Sequence, residues 1–246
     1  GPLAAAATQP AVGEPAGRSS TVAGTLVVAA PARDGLIVAA DTTARIGDSV
    51  VCDSHHKITE PDRPDRTVFA VAGGGINVPA PPSGMTDPCA YIRQAPRHFD
   101  INALVKTYLE TSGANVATAG TEELAARCIE AIVAVQKTHG DHIRAFWGTR
   151  MFAVVLATYA PAERTSTVKW FSLLLSPTGE PFVSEKETEV TGPADRRTAM
   201  RFGESEFFQK QVLNGPGRQF LGRAWKEWTT KATIAETSSA TGTFST

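Results

Sequence analysis

The chain has 246 residues, 42% of them hydrophobic and 20% charged, enough for one large domain or two small ones with a sizeable core. Its 24 Lys and Arg nearly balance 25 Asp and Glu, which sets aside a general electrostatic attraction to nucleic acid or an anionic membrane. No apolar run approaches the roughly 20 residues of a membrane-spanning helix. The three cysteines (Cys52, Cys89, Cys128) are odd in number and lack CxxC spacing, which argues against a disulfide framework and a zinc site and favours buried or idle thiols.

Gly1-Pro2-Leu3 reads as a scar left by tag removal. Ala4 to Ser20, rich in Ala, Pro and Gly without periodicity, reads as a flexible leader or propeptide. The domain division is therefore a leader over 1–24 and one domain over 25–246.

From Thr25 the character changes. Thr25 to Ala30 and Leu36 to Asp41 are short apolar runs around Pro31-Ala32-Arg33-Asp34-Gly35, the pattern of a β-hairpin, and the lack of clean alternation suggests strands covered on both faces. Further strands are expected around Ser49 to Cys52 and Lys57-Ile58. A charged turn over Pro61 to Arg66 then leads to a buried strand from Thr67 to Ala72 that ends in Gly73-Gly74-Gly75. Val78 to Arg97, with several prolines, reads as an irregular surface loop.

Helical periodicity covers Ile101 to Thr111 and Thr121 to Lys137, the latter with Thr121-Glu122-Glu123-Leu124 as cap and early acidic charge. Strands return at Phe152 to Tyr159, Val168 to Leu175 and Pro181 to Ser184, and helices are expected over Phe207 to Leu213 and Phe220 to Thr230. Strands, helices, strands, helices imply an α+β fold of two packed sheets covered by helices.

Gly24-Thr25, Asp34 to Asp41, Arg45-Ile46-Gly47 and Lys57-Ile58 stand in gapless register, with Asp41 16 positions after Thr25 and Lys57 16 after Asp41. This block resembles the start of proteasome β-subunits, N-terminal-nucleophile hydrolases, in the manner of a divergent bacterial proteasome homologue; Phe69 to Gly75 resembles the strand and glycine turn that follow there. The likeness is close from Gly24 to Gly75 and only architectural afterwards. It implies a four-layer αββα sandwich of two antiparallel sheets between helices and a threonine-type peptide hydrolase that activates itself by cleavage between Gly24 and Thr25. It also implies a homo-oligomeric ring, an unfolded polypeptide or peptide as substrate, an ATPase or other regulatory partner, and no cofactor or metal. By family default the location is cytoplasmic; export is the alternative if a signal peptide preceded this sequence.

A threonine hydroxyl is a poor nucleophile, but a first-residue threonine has a free α-amine, of pKa roughly 7.7 to 8.0, that can take the hydroxyl proton. Gly24 suits the cut because it has no side chain to obstruct attack on its carbonyl. Lys57, as an ammonium, would ease negative charge on the Thr25 oxygen, and Asp41 would fix that lysine. The resemblance further implies that the Gly73 N–H faces the oxyanion, and that Arg45 and Gly47 lie on the strand to which a peptide adds through main-chain hydrogen bonds, Arg45 favouring acidic substrate groups. Nearer the end, Glu204 stands where a serine assisting catalysis is usual, Ser238 where an aspartate is expected and Thr241 where a serine is expected, so the accessory network is altered.

Each residue also has an ordinary explanation: Thr25 as a strand former, Asp41 as a turn residue, Lys57 as a solvated cation. The three glycines lack a following Gly-Lys-Ser/Thr, so a structural turn fits better than a phosphate loop. His55-His56, His139 and His142 lack metal-site companions and read as surface histidines, and Trp225 and Trp228 as core. The alternative function is a catalytically inactive or unprocessed proteasome-like subunit serving as an assembly or peptide-binding scaffold.

Overall fold

The computed structural model describes residues 19–24, 26–32, 34–46, 50–113, 116, 118–192, 194–195 and 200–203. In chain order the strands are β1 (Ser19–Ala23), β2 (Leu26–Ala32), β3 (Gly35–Ala40), β4 (Ala44–Ile46), β5 (Val50–Cys52), β6 (Ile58–Thr59), β7 (Arg66–Gly73) and β8 (Ile76–Pro79). They continue as β9 (Phe99–Asp100), β10 (Arg150–Ala160), β11 (Thr165–Leu175), β12 (Pro181–Thr191) and β13 (Met200–Gly203). The helices among the described residues are α1 (Pro88–Gln94), α2 (Ile101–Thr111) and α3 (Glu122–His139). All named strand pairs are antiparallel, so the class is α+β.

The central sheet runs β12-β11-β10-β7-β6. Alternation along β7 and β10 sorts side chains by size. Phe69, Val71, Phe152, Val154 and Leu156 meet Val105, Leu109, Leu124 and Ile132 of α2 and α3 on one face. Ala70, Ala72, Ala153, Val155 and Ala157 face the other way and pack against Val27, Ala29 and Phe202 of the β13-β2-β3 sheet. Large residues therefore accommodate the helices, and small ones let two sheets approach. The layers built by the described residues are helix, sheet, sheet; the helices expected over 207–213 and 220–230 lie outside them.

The hairpin is present as β2 and β3: β2 alternates buried with half-buried residues, and β3 leaves Ile37 exposed. Val78 to Arg97, expected as an irregular loop, contains the end of β8 and all of α1. That helix begins at Pro88, where a missing N–H costs nothing, and is capped by Asp87, which accepts the Ala90 N–H. The α3 start also departs from expectation, because Thr121 makes no side-chain cap bond.

Two larger differences shape the site. Ser19–Ala23, expected within a flexible leader, is the middle strand of the β5-β4-β1-β8-β9 sheet, bonded to β4 on one side and β8 on the other. A segment with no periodicity of its own becomes a strand because two neighbours supply backbone partners. The thiols also depart from expectation: Cys52 of β5 and Cys89 of α1 form a disulfide across 37 residues. An odd cysteine total leaves room for one pair, and here Cys128 is the free thiol, buried in α3 and pushed up to about 12 by that burial.

Candidate active site around Lys57 and Asp41

Lys57 precedes β6, and its side chain is 3% exposed. Its Nζ lies 2.9 Å from both carboxylate oxygens of Asp41 and also donates to the carbonyl oxygens of Gly24 and Thr43. An ammonium has three protons, so these oxygens replace the water it gives up on burial. Asp41 stands just after β3, and its Oδ1 accepts the Leu26 N–H at 2.7 Å while its own N–H donates to the Leu26 carbonyl at 3.2 Å. The β2–β3 hairpin thus carries Asp41 to the first residue of β2.

Gly24 and Leu26, the two neighbours of Thr25 in the chain, are therefore both tied to the Lys57–Asp41 pair. Thr25, Gly47, Glu204, Ser238 and Thr241 lie outside the described residues. Of the remaining expected positions, Gly24, Asp41, Lys57 and Gly73 come together. Arg45 is exposed on β4, and its place in the ladder is opposite Ala23 of β1, so the edge expected to receive a peptide is occupied by β1.

Gly24 has φ +93° and Gly73 φ +104°, both in the left-handed region. At Gly73 a Cβ would fall 2.7 Å from the Met151 carbonyl oxygen, a backbone atom that cannot yield, so no other residue fits there. Gly74 is equally crowded, its Cβ position meeting Phe146 and the Thr21 methyl of β1. The glycine run thus lets β7 turn beneath the leader strand. No phosphate loop is needed to account for it.

Gly24, Lys57 and Gly73 border a cavity of about 20 Å³, room for about one water molecule. Its other walls include Ala44, Val71, His55 and Asn102, the last being the second residue of α2. His55 and Asn102 were not foreseen. His55 lies two positions before Lys57, the period at which an extended chain brings side chains to one side, and that was the available signal. Burial first, then the charges of Lys57, Arg97, His56 and Arg93, hold the His55 imidazole below its ordinary value. His56 and His139 are exposed as expected, although the His139 ring lies 4.8 Å from that of His98.

Chemically, the arrangement is a buried cation placed against a peptide carbonyl, with a carboxylate fixing the cation. It can polarise that carbonyl and accommodate negative charge beside it. Among the described residues, no group of three or more His, Cys, Asp or Glu side chains could hold a metal ion, and no helix is long and apolar enough to cross a membrane. Comparison of the sequence with protein-family models and with curated proteins finds no match to either.

Proposed function

We propose that the chain is a threonine-type peptide hydrolase of the proteasome superfamily that activates itself by cutting between Gly24 and Thr25. The observation that carries this reading is the Lys57 ammonium, bonded at once to the Gly24 carbonyl and to Asp41, whose carboxylate holds the Leu26 N–H. In self-cleavage the Thr25 hydroxyl oxygen adds to the Gly24 carbonyl carbon, with Lys57 countering charge on the carbonyl oxygen. The C–N bond breaks, the nitrogen takes the hydroxyl proton, and an ester joins Gly24 to Thr25. Water then cleaves the ester, leaving the leader with a carboxylate and Thr25 with a free α-amine.

That amine is the base for later turnovers, and Lys57, relieved of Gly24, faces the nucleophile oxygen. The proposed architecture is the four-layer αββα sandwich, assembled in a closed homo-oligomeric ring with an ATPase or other regulatory partner. A peptide substrate replaces β1 and pairs with β4 and β8 through its main chain.

The scaffold reading draws support from one observation: β1 is bonded on both sides and fills the edge at Arg45. Intact mass separates the two. Loss of residues 1–24 on incubation, abolished by Thr25→Ala, is the outcome expected of the hydrolase. A full-length chain that persists and ignores threonine-directed inhibitors would leave the scaffold.

A further inference from the structure

Read along the sequence, His139 lacks metal-site companions; the fold supplies His98, whose ring lies with its centroid 4.8 Å from that of His139 and tilted 45° to it. The two rings ride on separate, well-held pieces of backbone. His98 is half-buried just before β9, with its N–H donating to the Asn77 carbonyl of β8 at 3.0 Å. His139 is exposed as the last residue of α3, so the pair is open to solvent on that side.

Two imidazoles that bind one tetrahedral ion through nitrogens at about 2.0 Å have ring centroids roughly 5 Å apart, because each ring centre then lies about 3 Å from the metal. The observed separation is close to that, and side-chain rotation alone can turn one nitrogen of each ring toward a common point. The local field also suits a cation. His139 ends an 18-residue helix, whose last carbonyls leave partial negative charge there. Arg97, next to His98 in the chain, is engaged by the Asp100 carboxylate and the Ile92 carbonyl, and Lys137, two positions before His139, lies on another side of the helix.

We propose that His98 and His139 form a site for one divalent transition-metal ion, zinc in preference to magnesium or calcium, with water in the remaining positions. Imidazole nitrogen suits zinc, copper and nickel, whereas magnesium and calcium take oxygen ligands. Two protein ligands make the site open and exchangeable, unlike the closed four-ligand centre of a structural zinc. The bound ion links the start of β9 to the end of α3. β9 pairs with β8, and the turn Gly140–His142 that follows His139 approaches β1, so the ion clamps the flank of the sheet in which β1 lies. Occupancy therefore stabilises the folded chain. The proposal is independent of the hydrolase reading.

The test uses the full chain, stripped of metal by a chelator, and zinc chloride as the probe, with magnesium and calcium chloride as controls. Titration calorimetry should show one zinc ion bound per chain, and zinc alone of the three should raise Tm. His98→Asn and His139→Asn should each weaken zinc binding by about tenfold or more and remove the rise in Tm, while His56→Asn changes neither. Copper(II) bound to the parent should show electron-spin coupling to two imidazole nitrogens, and to one in either variant. His139 is exposed at a helix end, so His139→Asn without metal should unfold at the temperature of the parent, and its lost zinc response is then not a lost fold. No zinc binding, binding of parental strength in either variant, an equal response to magnesium, or a copper spectrum without nitrogen coupling overturns the proposal and leaves the two rings as an aromatic contact only.

Discussion

Lys57 and Gly73 show how single positions are fixed by different physics. Lys57→Met keeps most of the buried stem and removes the charge, leaving Asp41, among the described residues, with the Leu26 N–H. Because Asp41 is 37% exposed, water takes part of the lost interaction, and the stability cost is on the order of 2 kcal/mol by denaturant unfolding. On the proposed mechanism, self-cleavage followed by intact mass should slow about 100-fold or more, because the Gly24 carbonyl loses its cationic donor. Gly73→Ala is governed by sterics: its Cβ lands 2.7 Å from a carbonyl oxygen at a positive φ, and about 3 kcal/mol of stability is lost in the same assay.

At the scale of elements, the disulfide joins β5 to α1, and Cys52 shares a buried cluster with Val22 of β1, Ile46 and Ile76. Closing a loop of 37 residues stabilises by about 4 kcal/mol in the chain-entropy account. The paired Cys52→Ser and Cys89→Ser variant should lose about that much in urea, whereas Cys128, with its thiol pushed up to about 12, should resist alkylation at pH 8 in the folded protein. The bridge was illegible in the sequence because a count of three says nothing about which two residues the fold brings together. The hairpin and α2 were legible: apolar runs flank a turn in the first, and Ile101, Val105 and Leu109 recur at helical spacing in the second. β1 was not, since Ser19–Ala23 has no pattern of its own and owes its conformation to β4 and β8. Asp41 and Lys57 were expected together only through the resemblance of the block from Gly24 to Gly75 to proteasome β-subunits. His55 and Asn102, 47 residues apart in the chain, meet only through the tertiary fold.

For the molecule as a whole, acid is the condition that discriminates. His55 and His98 both titrate below the ordinary histidine value, chiefly through burial, with His139 adding to the effect at His98. The unfolded chain then takes up protons that the folded chain resists. The stability tied to these groups is present above pH 6.5 and is lost as pH falls through the lower folded values. Thermal unfolding should show a lower Tm at pH 5 than at pH 7.5, with the difference reduced in a His98→Asn variant.

A strand stitched into the interior of a sheet cannot simply fall away when its one covalent tether is cut. Severing the chain after Gly24 leaves β1 as a separate peptide, still laced to β4 and β8 by backbone bonds. Its exit would bare two facing rows of amides and carbonyls that only another extended chain can satisfy together. On the proposed self-cleavage, the product would begin plugged by its own β1 peptide, and incoming polypeptide would have to displace that plug before sustained turnover could start.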